Sequence, residues 1–192
     1  MNNYQIKIRW FSKSDISQKV KWINDSTVNQ FLHYDLPLSE EKTLNWYNRV
    51  INDDKRADFT IEIELEEGRK IPVGLIGVIQ IDRINQKAEF YIVMGEREYQ
   101  GKGIAMKASR CFIDFCFQRF NLNRIYLYTE VANVSAQKLF EHLGFKKEGL
   151  LEDDLIYMGR KISRYVYGLK REEFNHGQSL SGHASDSVAT IE

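Results

Sequence analysis

The stretch REYQGKGIAMKA, residues 97–108, places two glycines around a lysine and decides how the rest of the chain is interpreted. It follows KAEFYIVM at 87–94, an apolar run typical of a strand, and it opens a run at 103–120 whose apolar residues recur at helical spacing. The start of a helix exposes unpaired N–H groups and a partial positive charge, which suit phosphate oxygens. The stretch therefore predicts a phosphate-binding turn, although a plain glycine turn has the same local sequence.

The segments on both sides of this turn predict the element order βααβββαβαββ. This order indicates an α+β fold with an α/β-type mixed sheet that has helices on both faces. Strand 87–94, helix 104–120 and strand 124–131 form a right-handed crossover, so the two strands are expected to be parallel. The glycine turn then lies at the carboxyl end of the first strand, where open sheets bind ligands.

The predicted domain organisation is a single domain over residues 1–174, followed by a Ser-, Gly- and His-containing tail at 175–192 that we expect to be disordered.

The charge balance limits the partners of the protein. Lys+Arg and Asp+Glu are each 27, giving a formal net charge of zero. Such a chain lacks the field that holds nucleic acid or an anionic membrane without specificity, so we expect neither partner. There is no apolar signal segment and no run approaching the roughly 20 apolar residues of a membrane helix. A soluble, cytoplasmic protein is the expectation.

Cys111 and Cys116 are expected to be reduced core thiols, because five residues of helix point their side chains apart. No histidine lies near them at metal-ligand spacing, and no metal is expected.

Two common nucleotide motifs fail at the glycine turn. A P-loop requires Lys and then Ser or Thr directly after its last glycine, but Ile104 follows Gly103. A dinucleotide-binding turn requires a third glycine where Met106 stands, and it lies near the first strand of its fold. What remains is Q-x-x-G-x-A, formed by Gln100, Gly103 and Ala105.

This Q-x-x-G-x-A pattern, between a predicted strand and a predicted helix, resembles the pyrophosphate loop [QR]-x-x-G-x-[GA] of the GNAT superfamily of acyl-CoA N-acyltransferases. A second segment, NVSAQKLFEHLGF at 133–145, is similar to the family pattern N-x-x-A-x-x-[LIV]-[YF]-x-x-x-G-F. The resemblance covers about residues 4–174. Within the superfamily it is nearest the branch that holds ribosomal-protein N-terminal, spermidine and nucleotide-amino-sugar acetyltransferases.

The resemblance implies acetyl-CoA as acetyl donor, with its pantetheine between strands 87–94 and 124–131, splayed at their carboxyl ends. The residues that the resemblance places against acetyl-CoA are Ile92, Val93, Met94, Gln100, Gly101, Lys102, Gly103, Ile104, Ala105, Asn133 and Phe140.

The implied chemistry is direct attack of a primary amine on the thioester. Glu89, eleven residues before Gln100, matches the position of the family's catalytic glutamate and is the first candidate base; Glu130 is the second. Many relatives have a tyrosine at Phe140 that protonates the leaving thiolate, and a phenyl ring has no proton to give. Tyr128 is the candidate replacement.

The acceptor pocket of this family lies between the first two helices and the last hairpin, so the candidate acceptor residues are His33, Tyr34, Asp35 and Glu152. The acceptor itself stays open among a protein N-terminal amine, a nucleotide-linked amino sugar and a polyamine, so the partner is a small-molecule amine or a protein N-terminus.

A homodimer is a candidate assembly. The alternative function is an acyl-CoA-binding module without catalysis, acting as a sensor or partner subunit.

Overall fold

The computed structural model describes residues 4–65, 68–174 and 189–192. Its centre is one mixed sheet of eight strands in the order β6-β7-β5-β4-β3-β2-β1-β8. The strands are β1 (Gln5–Trp10), β2 (Ala57–Glu64), β3 (Lys70–Asp82), β4 (Lys87–Met94), β5 (Arg124–Glu130), β6 (Lys146–Tyr157), β7 (Arg160–Lys170) and β8 (Ala189–Ile191). The α-helices are α1 (Ile16–Asn24), α2 (Glu40–Val50), α3 (Ile104–Arg119) and α4 (Val134–His142). The predicted order and the mixed α/β fold are confirmed, with β8 as one further strand.

Alternation along the strands gives the sheet two apolar faces. In β4, Phe90 belongs to the large core with α3 and α4, whereas Tyr91 and Val93 pack with residues of α1 and α2. Successive side chains of a strand point to opposite faces, so each strand contributes to both layers. Helices therefore cover both faces of the sheet, as the sequence predicts.

The parallel pair β4 and β5 separates soon after it begins. Only Lys87–Glu89 pairs with residues 124–126; beyond that point β4 continues against β3 and β5 against β7. The two central strands therefore diverge toward their carboxyl ends, and the predicted splayed pair is confirmed. The gap opens at the end of the sheet where the glycine turn and α3 begin.

The last residues of the chain form β8, which pairs in parallel with β1. The backbone N–H of Glu192 donates to the carbonyl of Ile8 over 2.9 Å, and the Cys111 thiol donates to the carbonyl of Ala189 over 3.2 Å. The expectation of a disordered tail is wrong for 189–191, because β1 is otherwise an unpaired edge and Ile191 packs against the core. Residues 175–188 of that predicted tail lie outside the described part.

Cys111 and Cys116 are both free thiols, and burial raises the pKa of each. Within the ranges that the structure describes, no helix is both long and apolar enough to cross a membrane.

Candidate active site

A cavity of about 680 Å³ opens where β4 and β5 diverge, between those strands and the α1–α2 region. Many of the residues singled out from the sequence line it together: His33, Tyr34, Asp35, Glu89, Ile92, Val93, Tyr128, Glu130, Asn133 and Phe140. Glu152 lies elsewhere, in a neighbouring cavity of about 490 Å³ that shares Glu130 with the first. The structure thus brings the candidate base, the β4–β5 gap and most of the acceptor candidates to one place.

The glycine turn forms the start of α3. Gly103 is the N-cap residue with φ of 78°, and Gly101 has φ of 71°, a left-handed conformation that favours glycine. A Cβ built on either glycine would meet nothing within 4 Å, so the backbone faces open space. This open backbone at a helix N-terminus fits a phosphate group.

The side chains of the turn are held by neighbouring groups. Gln100 donates through Nε2 to the carbonyl of Met94 over 3.1 Å, which ties the turn to the end of β4. Lys102 Nζ lies 3.5 Å from the Tyr4 hydroxyl oxygen and 5.2 Å from the ring centre of Tyr99. Ile104 is 2% exposed and anchors α3 in the core, so its side chain is structural.

Glu89 lies at the point where the central strands part. It occupies the face of β4 that also presents Tyr91 and Val93, and it lines the cavity. Gln80 donates through Nε2 to its carboxylate over 3.2 Å. Burial raises the pKa of Glu89, and the nearby Arg164 guanidinium opposes part of that rise. A raised pKa makes the carboxylate a stronger proton acceptor than an ordinary surface glutamate.

Tyr128 and Phe140 stand on different elements of the cavity wall. The Tyr128 ring lies 5.9 Å from that of Tyr126, and the Arg164 guanidinium carbon is 4.6 Å from its centre. Phe140 is 6% exposed and its ring packs near Phe90 at 6.4 Å. Phe140 is therefore a wall residue, and Tyr128 brings a phenol to the same cavity.

His33 and Glu130 join the α1–α2 loop to the end of β5. His33 Nε2 lies 2.8 Å from Glu130 Oε1, and the two side chains are 23% and 14% exposed. The His33 ring also contacts Tyr157 at 5.1 Å between ring centres, while the Tyr157 hydroxyl donates to the carbonyl of Tyr34 over 2.8 Å. The last hairpin therefore reaches the loop between α1 and α2 through Tyr157 rather than through Glu152.

The Asn133 side chain caps the N-terminus of α4. Its side-chain oxygen accepts from the backbone N–H of Ala136 over 3.1 Å and caps α4.

Sequence reasoning missed the cationic part of the cavity. Lys19, Arg49 and Arg56 line it beside Trp46. A signal existed for Lys19: it lies at the i+3 position of the Ile16–Val20–Ile23 stripe, so a lysine occupies the buried side of an amphipathic helix.

A second missed group lies on the β2 side of the cavity. Arg56 donates to Asp58 from Nε over 2.6 Å and from Nη2 over 2.8 Å. The same carboxylate accepts from the Tyr91 hydroxyl over 2.5 Å. Burial and Asp58 raise the pKa of Tyr91 far above its usual value. Nothing in the sequence pattern indicated this pairing across two strands.

Comparison with known proteins identifies the family. Residues 5–146 match the model of the acetyltransferase (GNAT) domain, so the chain belongs to the GNAT family. A spermidine N(1)-acetyltransferase of Vibrio cholerae is 30% identical over 177 residues, covering 92% of this chain and 99% of that protein. A Bacillus subtilis protein, named as a proposed ribosomal N-acetyltransferase, is 28% identical over 177 residues, covering 90% of this chain and 94% of its own length.

The fold agrees with the sequence comparison. The crystal structure of the Vibrio cholerae spermidine N-acetyltransferase with CoA and spermine superimposes with a TM-score of 0.80 at 27% identity, covering 88% of this chain and 97% of that chain. This protein is an N-acetyltransferase that uses acetyl-CoA as its co-substrate. The comparisons give no support to the alternative of a module without catalysis. Within the described residues, no group of three or more His, Cys, Asp or Glu side chains is placed to hold a metal ion.

Proposed function

We propose that this enzyme acetylates the primary amine of a small molecule that enters the cavity between the α1–α2 region and the β4–β5 gap. The observation that supports this proposal best is the cavity itself, which joins the opening between the central strands to Glu89 and to the acceptor loop. Relatives that act on spermidine, a small amine, support a small-molecule acceptor.

The residues proposed to bind acetyl-CoA are those of the gap and of the glycine turn. The edges of β4 at Ile92, Val93 and Met94 would pair with the pantetheine amides. The backbone N–H groups from Gln100 to Ala105 would bind the pyrophosphate, with Lys102 as an adjacent cation. When bound, acetyl-CoA supplies the thioester carbonyl that the amine attacks.

Glu89 is the proposed base. Its carboxylate lines the cavity, and its raised pKa makes it a stronger acceptor for the proton of an incoming ammonium group. Glu130 is the second candidate base. Because it is hydrogen-bonded to His33, it is better suited to holding the loop between α1 and α2 than to accepting a proton from the amine.

Tyr128 is the proposed proton donor to the departing sulfur. It provides a hydroxyl in the cavity, whereas Phe140 provides a wall. Asn133 is the cap of α4 and would shape the wall beside the CoA arm.

Release of free thiol from acetyl-CoA tests the proposal. Spermidine, butylamine, glucosamine, amino-sugar phosphates and short N-terminal peptides are each supplied as acceptor. We expect release that depends on a small amine and an acetylated product seen by mass spectrometry. Release with peptides alone would contradict the small-molecule acceptor, and no release with any amine would contradict the proposed site.

Two further expectations stay predictions. A homodimer is tested by sedimentation of the purified protein, and the cytoplasmic location by fractionation of cells.

A further inference from the structure

We propose that the acceptor carries an anionic group, a carboxylate or a phosphate, which Lys19 and its neighbouring arginines bind at the α1–α2 wall of the cavity. This inference rests on the proposed function, because it assumes that the amine of a small molecule enters the same cavity.

Lys19 is a buried cation that lines the cavity. It is 7% exposed, and its Nζ lies 3.3 Å from the ring centre of Trp46 and 5.5 Å from that of Phe11. Among the described residues no carboxylate makes a direct ion pair with it: Asp58 acts on Lys19 only from a distance and is itself paired with Arg56. Burial lowers the pKa of Lys19 to about 8. Burying a charge without a contacting counter-ion costs free energy, and contact with an aromatic ring offsets only part of that cost. An anionic ligand would provide the missing partner.

The remaining charges of the cavity point the same way. Five cationic side chains line it: Lys19, Lys42, Arg49, Arg56 and Arg164. Its four carboxylates are Asp35, Asp58, Glu89 and Glu130. Most of these charges are already paired: Asp35 with Lys42 at 3.0 Å, Asp58 with Arg56 at 2.6 Å, Glu130 with His33 at 2.8 Å, and Arg164 with Asp154 outside the cavity lining. Among the described residues, Lys19 and Arg49 are the lining cations without an ion pair, and Glu89 is the carboxylate left for an incoming amine.

This distribution separates the two ends of an acceptor. An amine is suited to Glu89, whereas an anion is suited to Lys19, with exposed Arg49 on the lining of the same cavity. Arg56 is held by Asp58 and adds its positive charge rather than a free donor pair. A polyamine would bring its second ammonium group to a wall that already holds unpaired positive charge, and repulsion would weaken its binding. The chemistry of this cavity thus differs from what a polycation requires.

Matched pairs of amines test this inference. Glucosamine is compared with glucosamine 6-phosphate, and butylamine with 4-aminobutyrate, so that each pair differs chiefly by one anion. Spermidine forms a third arm. We expect KM for the anionic member to be lower by about tenfold, the value of one charge-assisted hydrogen bond. The pair with the larger difference identifies phosphate or carboxylate as the preferred group.

The variant Lys19→Met tests the residue. Methionine keeps much of the length of lysine without its charge, so KM for the preferred anionic amine is expected to rise about tenfold while KM for its neutral partner stays unchanged. The melting temperature is expected to stay equal or to rise, because an unpaired buried charge has been removed. Lys13→Met, which removes an exposed lysine just before α1, is the matched control and should change neither constant.

Several results would overturn the inference. They are equal KM values within both pairs, spermidine as the best acceptor, or a Lys19→Met variant that affects both members of a pair equally. Calorimetric binding of the same amines to the protein saturated with CoA gives the answer independently of turnover; absence of any preference for the anionic member there would contradict it as well. Amine-dependent thiol release without anion preference leaves the proposed function standing, whereas absence of release with every amine contradicts the proposed function itself.

Discussion

His33 Nε2 lies 2.8 Å from Glu130 Oε1, and this contact ties the loop between α1 and α2 to the end of β5. Residues of the loop and of β5 both line the cavity, so the pair joins two parts of its wall. Because the two residues are 97 positions apart, the contact depends on the tertiary fold.

The first prediction concerns this pair. Glu130→Ala and His33→Ala are each expected to raise KM for the amine about fivefold to tenfold with a smaller change in kcat, because the loop loses a hydrogen bond worth about 1 kcal/mol. Steady-state kinetics of both single variants and the double variant measure the coupling. If the pair acts as a unit, the double variant is no worse than either single one; additive effects would contradict the pairing.

The second prediction concerns the pH dependence of Glu89. Burial raises the pKa of its carboxyl above the ordinary 4.5, and a base acts only when it is ionised. Activity of the wild-type enzyme should therefore fall as the pH drops through that raised pKa. Glu89→Gln should lower kcat/KM by about 100-fold and remove this acidic limb. If the activity of Glu89→Gln still falls in the same acidic pH range, the base is another group.

The third prediction concerns the proton donor to the thiolate. Tyr128→Phe should lower kcat about tenfold or more, because the phenol that faces the cavity is lost. Phe140→Tyr adds a hydroxyl at the position where many relatives have one, and it should restore activity when combined with Tyr128→Phe. Rapid-quench measurement of the acetyl-transfer step checks both. Full activity of Tyr128→Phe would exclude Tyr128 as the proton donor.

The fourth prediction concerns the glycine turn. Gly103→Glu should weaken acetyl-CoA binding at least about tenfold, because a carboxylate would meet the pyrophosphate at the start of α3. Gly103→Ala is the matched control: it has the same strain at φ of 78°, about 1–2 kcal/mol, without the charge. Isothermal titration with CoA compares the two. If the two variants bind CoA with equal affinity, backbone strain rather than the added charge causes the weaker binding.

The fifth prediction concerns Gly95, which follows β4. A Cβ on Gly95 would lie 2.0 Å from Trp22 Cδ2, and the Trp22 indole N–H donates to Glu96 over 2.9 Å. Gly95→Ala should therefore lower the free energy of unfolding by about 1–3 kcal/mol. Gly149→Ala is the control, since its Cβ would make an ordinary 3.6 Å contact with Val166. Urea denaturation of both variants measures the difference.

Local patterns were sufficient for much of the fold. The apolar run at 87–94 predicted β4 over the residues that form it, and the spacing of apolar residues predicted α3. The crossover rule then gave the parallel pair and the position of the glycine turn. The edge strand β8 was missed, since three residues after a polar segment have no periodicity to detect.

The sequence by itself determined the main elements, their order, the family and the co-substrate, because these depend on short motifs and on periodicity within one segment. Only the tertiary structure decided which side chains meet in the cavity between β4, β5 and the α1–α2 region. The His33–Glu130 contact, the Asp58 carboxylate shared by Arg56 and Tyr91, and the ammonium of Lys19 over Trp46 join residues from different elements. Such contacts are set by the packing of helices on a twisted sheet, and no spacing along the chain encodes them.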